Sequence, residues 1–383
     1  MRLSVNLFSP LPEREPLPGG QLEIDSDRTE VEVTTEIPGG FGTCSIGIPE
    51  LTKRQAVPGR LPEPLADIRD FPHIEVSAGT VMVYEGRVSE YDYDGWGRPT
   101  GISAEGYGAW GLNDSPILDP PVFSITSGDA IQRALVDGSA PVEPGHHWSD
   151  PGVSHDYDEF ADMTPGEVID QIIKAGGVDG NAWDFAVWEN QRASLLPRTV
   201  PEIPDYRVQL DGVIIQSMRR SSKSLYGAVV LRYEKPDGTK ADTGVIEDDT
   251  FENRYGFQRT RLLEGGILSD VAAARFARTW LELHRVPQWD ISLSVPARRR
   301  GGLIRTMGGE TALHLVRAGQ WLEIPGLPQA QMIKSTSYNS ISGSLGLSIG
   351  NGITSSADLF RHLRDSTNKQ AREISPTTGA KRR

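Results

Sequence analysis

Cysteine is nearly absent from this sequence of 383 residues, which contains only Cys44. One cysteine cannot form a disulfide within the chain, so the fold must be held by its core and by any partner subunits. Cys44 lies in the apolar stretch Thr43–Ile48, with no histidine nearby in the sequence. We therefore predict a small buried strand residue here, not a nucleophile. A chain without disulfides suits a reducing cytoplasm.

Long apolar runs are also absent. No stretch approaches the roughly 20 residues that a membrane-spanning helix needs. The N-terminal segment Met1–Phe8 is interrupted at Ser9-Pro10 before the apolar part of a secretion signal develops. We predict synthesis in the cytoplasm and no membrane-spanning segment.

Basic residues are too few to balance the acidic ones. The sequence has 39 Lys and Arg residues and 52 Asp and Glu residues, so the net charge is −13 at pH 7. This sign opposes adhesion to nucleic acid and to anionic membranes, but it suits a protein past which DNA slides without sticking. The end of the chain differs: residues 355–365 predict a short amphipathic helix, followed by a flexible tail that closes with Lys381-Arg382-Arg383.

Glycine and proline, by contrast, are abundant, with 41 and 27 residues. Many turns favour numerous short strands over long helices, and a chain of this length is expected to form about two to four domains. We predict a mainly β fold with α+β elements. Alternation of apolar and polar residues predicts a strand over residues 22–37. Turn residues between β-prone runs predict hairpins over residues 79–110, 183–196, 206–217, 226–247 and 332–349.

Three helices are predicted, over about residues 128–136, 164–175 and 269–285. The second has the clearest start, because Thr164 and Glu167 have the spacing of a capping box. The predicted apolar face of the third helix comprises Val271, Ala274, Ala277, Trp280, Leu281 and His284.

Two segments match ligand-binding motifs, but the residues around each segment do not fit the motif. Gly106–Gly111 fits G-x-G-x-x-G, but the dinucleotide fingerprint requires a helix that opens inside it, and the turn Asn113–Pro116 follows instead. We interpret the motif as one end of a hairpin strand. Asp92–Gly95 resembles the start of a calcium loop, yet Ser103 occupies the position that requires glutamate, so a hairpin tip is predicted.

Histidines cluster in residues 146–158, which contain three of the seven: His146, His147 and His155. With the neighbouring aspartates they offer ligands that suit zinc or another transition ion. No helical H-x-x-x-H spacing and no cysteine supports a metal site, and prolines and glycines mark a loop. We prefer a solvated loop or a subunit contact, and metal binding by these histidines stays open.

No catalytic arrangement stands out in the sequence. Asp156 with Asp158, and Asp248 with Asp249, are neighbours in sequence, but glycosidase carboxylates are paired in space. No G-x-S-x-G nucleophile elbow is present. Arg298–Arg300 is interpreted as a solvated loop or a salt-bridge partner for another subunit. We assign no catalytic, cofactor-binding or metal-binding residue and predict that the protein is not an enzyme.

Aromatic and glycine patterns in two places are similar to those of a known family. Val83–Val88, which contains E-G-R-V, is followed by Glu105–Trp110, which contains G-Y-G-A-W. Trp183–Arg198 forms a second such segment. Both resemble the baseplate or tail-tip hub proteins of tailed bacteriophages, a group of minor tail proteins.

The last third of the sequence resembles the same family. The helix Val271–His284 leads to the strand Ile291–Val295 and then to Ala318–Pro325, although Gln320 stands where the family often has Asp. The resemblance covers roughly residues 22–350. It implies two tail-tube-like β-barrel domains plus smaller α/β insertions. The implied division is an arm at 1–20, a first barrel at 21–115, an α/β insertion domain at 116–205, a second barrel with a long helix and closing hairpin at 206–350, and a short helix with a basic tail at 351–383.

The resemblance also implies a function. Such hubs are homotrimeric rings in the virion tail tip that join the tail tube to tip or fibre proteins. They surround the path of the tape measure protein and DNA during genome ejection, and they are assembled in the host cytoplasm without a cofactor. The sequence leaves open whether Arg298–Arg300 and the tail face this channel. The alternatives are a distal-tail or other ring-forming protein, a virion-borne cell-wall carbohydrate-active enzyme that uses Asp156 and Asp158, and a metal-dependent module.

Overall fold

The computed structural model describes residues 2–8, 16–25, 29–47, 72–94, 99–108, 112–113, 115–118, 120–177, 182–222, 225–235, 238–267, 269–296, 302–308, 311–327 and 329–350. The chain divides into two compact units. Unit 1 comprises Met1–Ile173, Trp183–Arg219 and Trp289–Asn351, and unit 2 comprises Lys174–Ala182, Arg220–Gln288 and Gly352–Arg383.

Strands predominate in the described part, so the predicted mainly β class is confirmed. The α-helices are α1 (Ser127–Asp137), α2 (Pro165–Ala175), α3 (Phe251–Tyr255) and α4 (Asp270–His284). The strands are β1 (Arg2–Phe8), β2 (Pro16–Asp25), β3 (Val31–Glu36), β4 (Gly39–Gly47), β5 (His73–Ala78), β6 (Val81–Tyr93), β7 (Pro99–Glu105), β8 (Ser124–Thr126), β9 (Glu143–Trp148), β10 (Ser154–Asp156), β11 (Trp183–Trp188), β12 (Arg192–Pro197), β13 (Tyr206–Val208), β14 (Ile214–Ser221), β15 (Ala228–Glu234), β16 (Lys240–Asp242), β17 (Ile246–Glu247), β18 (Thr260–Ile267), β19 (Gln288–Val295), β20 (Leu303–Arg305), β21 (Trp321–Glu323), β22 (Gln331–Asn339) and β23 (Ser344–Gly350).

Unit 1 contains a long antiparallel run of strands in the order β2-β1-β5-β6-β7-β4-β3-β22-β23-β19. The sheet curls into half of a barrel. Alternation creates its core, because residues with a period of two along a strand share one face. In β3, for example, Val31 and Val33 are buried whereas Glu32 and Glu36 are exposed. Cys44 packs in the same core, as predicted, and burial raises the pKa of its thiol.

The sheet joins distant parts of the sequence at β3 and β22. Ser335 lies opposite Glu36, and the Thr35 and Thr336 hydroxyl oxygens are 2.7 Å apart. The predicted strand over residues 22–37 is wrong as a single element, because β2 ends at Asp25 and β3 begins at Val31. The two strands also have different neighbours, since β2 pairs with β1 whereas β3 pairs with β4 and β22.

A second layer of unit 1 is built from β11, β12, β9, α1 and α2 around its own core. The β11–β12 hairpin is confirmed, and Asn190 and Gln191 in its turn have φ values of 58° and 55°. The capping box is also confirmed. The Thr164 N–H donates to the Glu167 carboxylate at 2.9 Å, and the Glu167 N–H donates to the Thr164 hydroxyl at 3.3 Å.

A third core of unit 1 lies under β13, β19, β20, β21, β22 and β23. The predicted hairpin over residues 206–217 is wrong. Both edges of β13 are occupied by distant strands, since Tyr206 lies opposite Arg305 of β20 and also opposite Leu322 of β21. The hairpin of β22 and β23 is confirmed, and Gly343 in its turn has a φ of 58°.

Unit 2 is a small sheet with one long helix. β15 pairs with β16 and β17 in antiparallel fashion, which confirms the predicted hairpin, and with β18 in parallel. The helix α4 is confirmed, but its buried face includes Ala273 and Phe276, whereas Val271 is 74% exposed. Val271 and Ala273 are two residues apart and therefore lie on opposite sides of the helix, so only Ala273 faces the sheet.

The predicted helix at 355–365 and the basic tail lie outside the described residues. Among the described residues, no helix is long and apolar enough to cross a membrane. The domain boundaries given above stay predictions.

Candidate functional site

The histidine-rich segment, residues 146–158, is described in part, and its histidines have different surroundings. Both ring nitrogens of His155 have partners in the protein: Nε2 lies 2.9 Å from the Ser127 hydroxyl, and Nδ1 lies 2.8 Å from the Glu159 carboxylate. His147 is an exposed residue of β9, and the side chain of His146 lies outside the described residues. In the described ranges, no group of three ligand atoms close enough to hold an ion includes these histidines.

Asp150, beside these histidines, has a structural role. Its carboxylate accepts hydrogen bonds from the Gly128 and Gly152 N–H groups at 3.0 and 2.8 Å, and from the Thr126 hydroxyl. Partial burial opposes ionisation, but these donors outweigh it and hold the pKa of Asp150 below its ordinary value. The carboxylate therefore fastens the histidine-rich segment to the start of α1.

The two pairs of neighbouring aspartates differ in their surroundings. Asp156 and Asp158 are both exposed. Asp248 accepts hydrogen bonds from the Thr250 hydroxyl and N–H at 2.7 and 2.9 Å and forms an ion pair with Arg285. The Thr250 hydroxyl contributes most to holding the pKa of Asp248 low. This carboxylate stabilises a turn of unit 2. Arg298–Arg300 lies outside the described residues.

The glycines of the aromatic motifs are explained by packing. A Cβ atom at Gly106 would lie 1.8 Å from the Phe41 carbonyl oxygen, and one at Gly108 would lie 1.8 Å from the Gly39 carbonyl oxygen. A Cβ atom at Gly86 would lie 2.4 Å from the Glu105 carbonyl oxygen. Only glycine permits such close approach of two backbones. Gly106 and Gly108 therefore serve close backbone packing. The motif was predicted to be one end of a hairpin strand, but β7 ends at Glu105, Tyr107 and Gly108 lie in a turn, and residues 109–111 lie outside the described residues.

The sequence reasoning missed one polar cluster. Among the described residues, His73 and Glu75 on β5 and Glu85 on β6 place three potential ligand atoms within 4.8 Å of one another. His73 Nε2 lies 3.2 Å from Glu75 Oε1 and 3.7 Å from Glu85 Oε1. The H-x-E spacing on a strand was a visible signal, because residues i and i+2 share one face. The register that brings Glu85 to the same place was not visible.

Apolar side chains are exposed along β14. Ile214 and Ile215 are 49% and 46% exposed, and Met218 is 43% exposed. Successive residues of a strand point to opposite faces, so both faces of β14 carry exposed side chains. Exposed apolar residues at this density mark a surface suited to contact with another protein.

These features define a mainly β scaffold in which the motif residues serve packing, and its fold is that of phage tail proteins. The chain is similar to the 43 kDa tail protein of prophage MuSo2 from Shewanella oneidensis, with a TM-score of 0.56 and 14% identity over 91% of this chain and 97% of that one. It is similar to prophage tail protein gp18 from Listeria monocytogenes EGD-e, with a TM-score of 0.58 and 12% identity over 95% and 99%.

A tail protein from Neisseria meningitidis MC58 is also similar, with a TM-score of 0.54 and 12% identity over 91% of this chain and 96% of that one. No protein-family model matches the sequence, and no curated protein matches it. At these identities the likeness shows the fold. The resemblance to phage tail proteins predicted from the sequence is confirmed at that level.

Proposed function

We propose that this chain is a non-enzymatic structural subunit of a phage tail, located at the tail tip or baseplate of the virion. The observation that carries the proposal is structural similarity to tail proteins over nearly the full length of both chains. The three tail proteins match 91%, 95% and 91% of this chain and 97%, 99% and 96% of their own lengths. A match over nearly the whole of both chains supports a shared architectural role better than a match over one common domain.

The finer proposal is a hub. In it, two tube-like barrels per chain form a homotrimeric ring that joins the distal-tail or tail-tube ring to tip or fibre proteins. The ring surrounds the path of the tape measure protein and DNA. The net charge of −13 supports this, because phosphate contacts dominate nonspecific DNA affinity and an acidic surface offers few of them.

The exposed strand β14 supports assembly with further copies of this chain. Burial of Ile215 and Met218 removes apolar area from water, which is worth about 25 cal/mol per Å². Strand edges and apolar faces that are open in one chain are covered by neighbours in closed rings. We place β14 in the contact between subunits.

The test is the mass and ring symmetry of the purified full chain, measured by light scattering and electron microscopy. We expect a trimer, and we expect the double variant Ile215→Glu with Met218→Glu to remain monomeric. The control Val136→Glu places the same charge on an exposed apolar residue of α1 and should still assemble. A wild-type chain that stays monomeric at every concentration would refute the homotrimer.

The same measurements separate the alternatives. A sixfold ring would support a distal-tail protein in place of the hub. Hydrolysis of cell-wall glycan that is lost in the double variant Asp156→Asn with Asp158→Asn would support a carbohydrate-active enzyme and overturn the structural proposal. Both aspartates are exposed, so these changes should leave the fold intact.

A further inference from the structure

We propose that His73, Glu75 and Glu85 form a binding site for one divalent transition-metal ion, with Zn²⁺ as the preferred ion. One imidazole nitrogen and two carboxylate oxygens are a donor set that zinc accepts in proteins. The three ligand atoms lie within 4.8 Å of one another in unit 1. The site uses none of the residues in the histidine-rich segment 146–158.

The register of the sheet places the two carboxylates face to face. Glu75 of β5 lies directly opposite Glu85 of β6, and His73 lies two residues before Glu75 on the same face. Like charges directly opposite each other destabilise a sheet. Arg87 lies opposite His73 on this face and adds a positive charge beside the carboxylates. A divalent ion between the carboxylates converts the repulsion into attraction.

Burial and distances both fit a coordinated ion. The side chains of His73 and Glu85 are each 1% exposed, so the donor atoms are held in a buried and ordered position. Ligand atoms on a tetrahedral zinc ion with bonds of 2.0–2.1 Å are about 3.4 Å apart. The observed separations from Nε2, 3.2 and 3.7 Å, lie on either side of this value. Glu75 is 20% exposed, which gives the ion a path from solvent.

The surroundings hold the imidazole in the orientation that a metal ion requires. The Tyr107 hydroxyl lies 2.6 Å from His73 Nδ1, and the two rings stack at 5.7 Å with an angle of 20°. A metal-bound histidine usually donates its other N–H to such a partner, which fixes the ring. Here the contact turns Nε2 towards the two carboxylates.

Gln191 contacts the cluster through its backbone. Its backbone N–H donates to Glu85 Oε2 at 3.4 Å, and the residue is only 8% exposed. Within the described part of the chain, its side-chain amide nitrogen is buried without a hydrogen-bond partner. Buried polar groups in folded proteins nearly always have one. Gln191 therefore carries a buried side-chain donor that still needs a partner, on a residue whose backbone already contacts the proposed ligand Glu85.

The test is metal titration of the full chain after treatment with a chelator. We expect about one Zn²⁺ per chain by calorimetry, and an ion concentration of about 100 times Kd should raise Tm by roughly 5 °C. Co²⁺ serves as a spectroscopic probe, because its visible absorption reports nitrogen and oxygen ligation independently of stability. Glu75→Gln, at the partly exposed ligand, should weaken binding more than about a hundredfold, and Tyr107→Phe about tenfold.

The control is His147→Gln, which removes an exposed histidine from the other cluster and should bind the ion as the wild type does. Circular dichroism confirms that each variant is folded before titration. Saturable binding that is lost in Glu75→Gln and kept in His147→Gln supports the site. A wild-type chain that binds no ion, or a Glu75→Gln variant that binds as tightly as the wild type, overturns it.

Discussion

Arg317 joins three segments of unit 1, and its replacement by alanine should be strongly destabilising. Its guanidinium carbon lies 5.0 Å from the ring centroid of Phe41 and 5.2 Å from that of Trp188. It donates to the Met82 carbonyl oxygen at 3.0 Å and forms an ion pair with Glu189. These contacts connect β4, β6 and the β11–β12 turn to the segment before β21.

The magnitude follows from the contacts. Each cation–π contact contributes about 1 kcal/mol, the hydrogen bond about 1 kcal/mol, and the partly exposed ion pair less than about 1 kcal/mol. We expect Arg317→Ala to destabilise unit 1 by about 3 kcal/mol. Arg317→Lys keeps the charge but loses the planar group that stacks on Phe41 and Trp188, so it should lose about 1–2 kcal/mol.

Hydrogen exchange measured by mass spectrometry suits this chain, because it reports on the segments around Arg317 separately from unit 2. A loss of about 3 kcal/mol corresponds to roughly a hundredfold faster exchange for the peptides that contain Trp188 and Met82. Exchange in the β15 and α4 peptides of unit 2 should be unchanged and serves as the internal control. An increase of less than about threefold near Trp188 would refute the reasoning.

Arg317 also makes the stability of unit 1 depend on pH. Burial alone raises the pKa of Glu189, but the hydrogen bond and charge of Arg317 outweigh it and hold this pKa below the ordinary value. A carboxyl with a lowered folded pKa stabilises the fold above its unfolded pKa of about 4.3, and this stability is lost as pH falls through the folded pKa. The difference between wild type and Arg317→Ala should therefore shrink below about pH 4.

Four further substitutions test other parts of the fold by urea unfolding. Thr164→Ala removes the capping box of α2 and should cost about 1 kcal/mol. Gly106→Ala forces a Cβ atom against the backbone of β4 and should cost about 3 kcal/mol or more, whereas Gly47→Ala meets only ordinary contacts and should cost less than about 1 kcal/mol. Burial lowers the pKa of His284, which stacks on Trp280, so unit 2 should lose stability as pH falls below about 6.5, and His284→Gln should abolish this loss.

The elements predicted correctly are those whose signals are local. Thr164 and Glu167 are three residues apart, so their capping box can be recognised from one short segment of the sequence. The partners of β13 and the parallel pairing of β15 with β18 are not local, and short strands carry too little pattern to specify them. β13 belongs to the third core of unit 1, whereas β15 and β18 belong to the core of unit 2. Each pairing depends on segments that only tertiary packing brings together.

The polar cluster of His73, Glu75 and Glu85 was only partly predictable for the same reason: part of its signal is not local in the sequence. His73 and Glu75 were visible as neighbours on one strand face, but the contribution of Glu85 depends on the register between β5 and β6. A shift of one residue in that register would move Glu85 to the opposite face. Conversely, His147 and His155, close in sequence, belong to strands with different pairing partners.

The pairing of β3 with β22 has a consequence for biosynthesis. Thr35 and Thr336 are 301 residues apart, so at about 5–20 residues per second the ribosome needs roughly 15–60 s to deliver the partner strand. During this time β3 has β4 on one side and an open edge on the other. An open edge is a template for pairing with other chains. Neighbouring nascent chains on one polysome carry the same open edge, so the speed of translation and the presence of a chaperone should govern how much of this protein reaches its folded state.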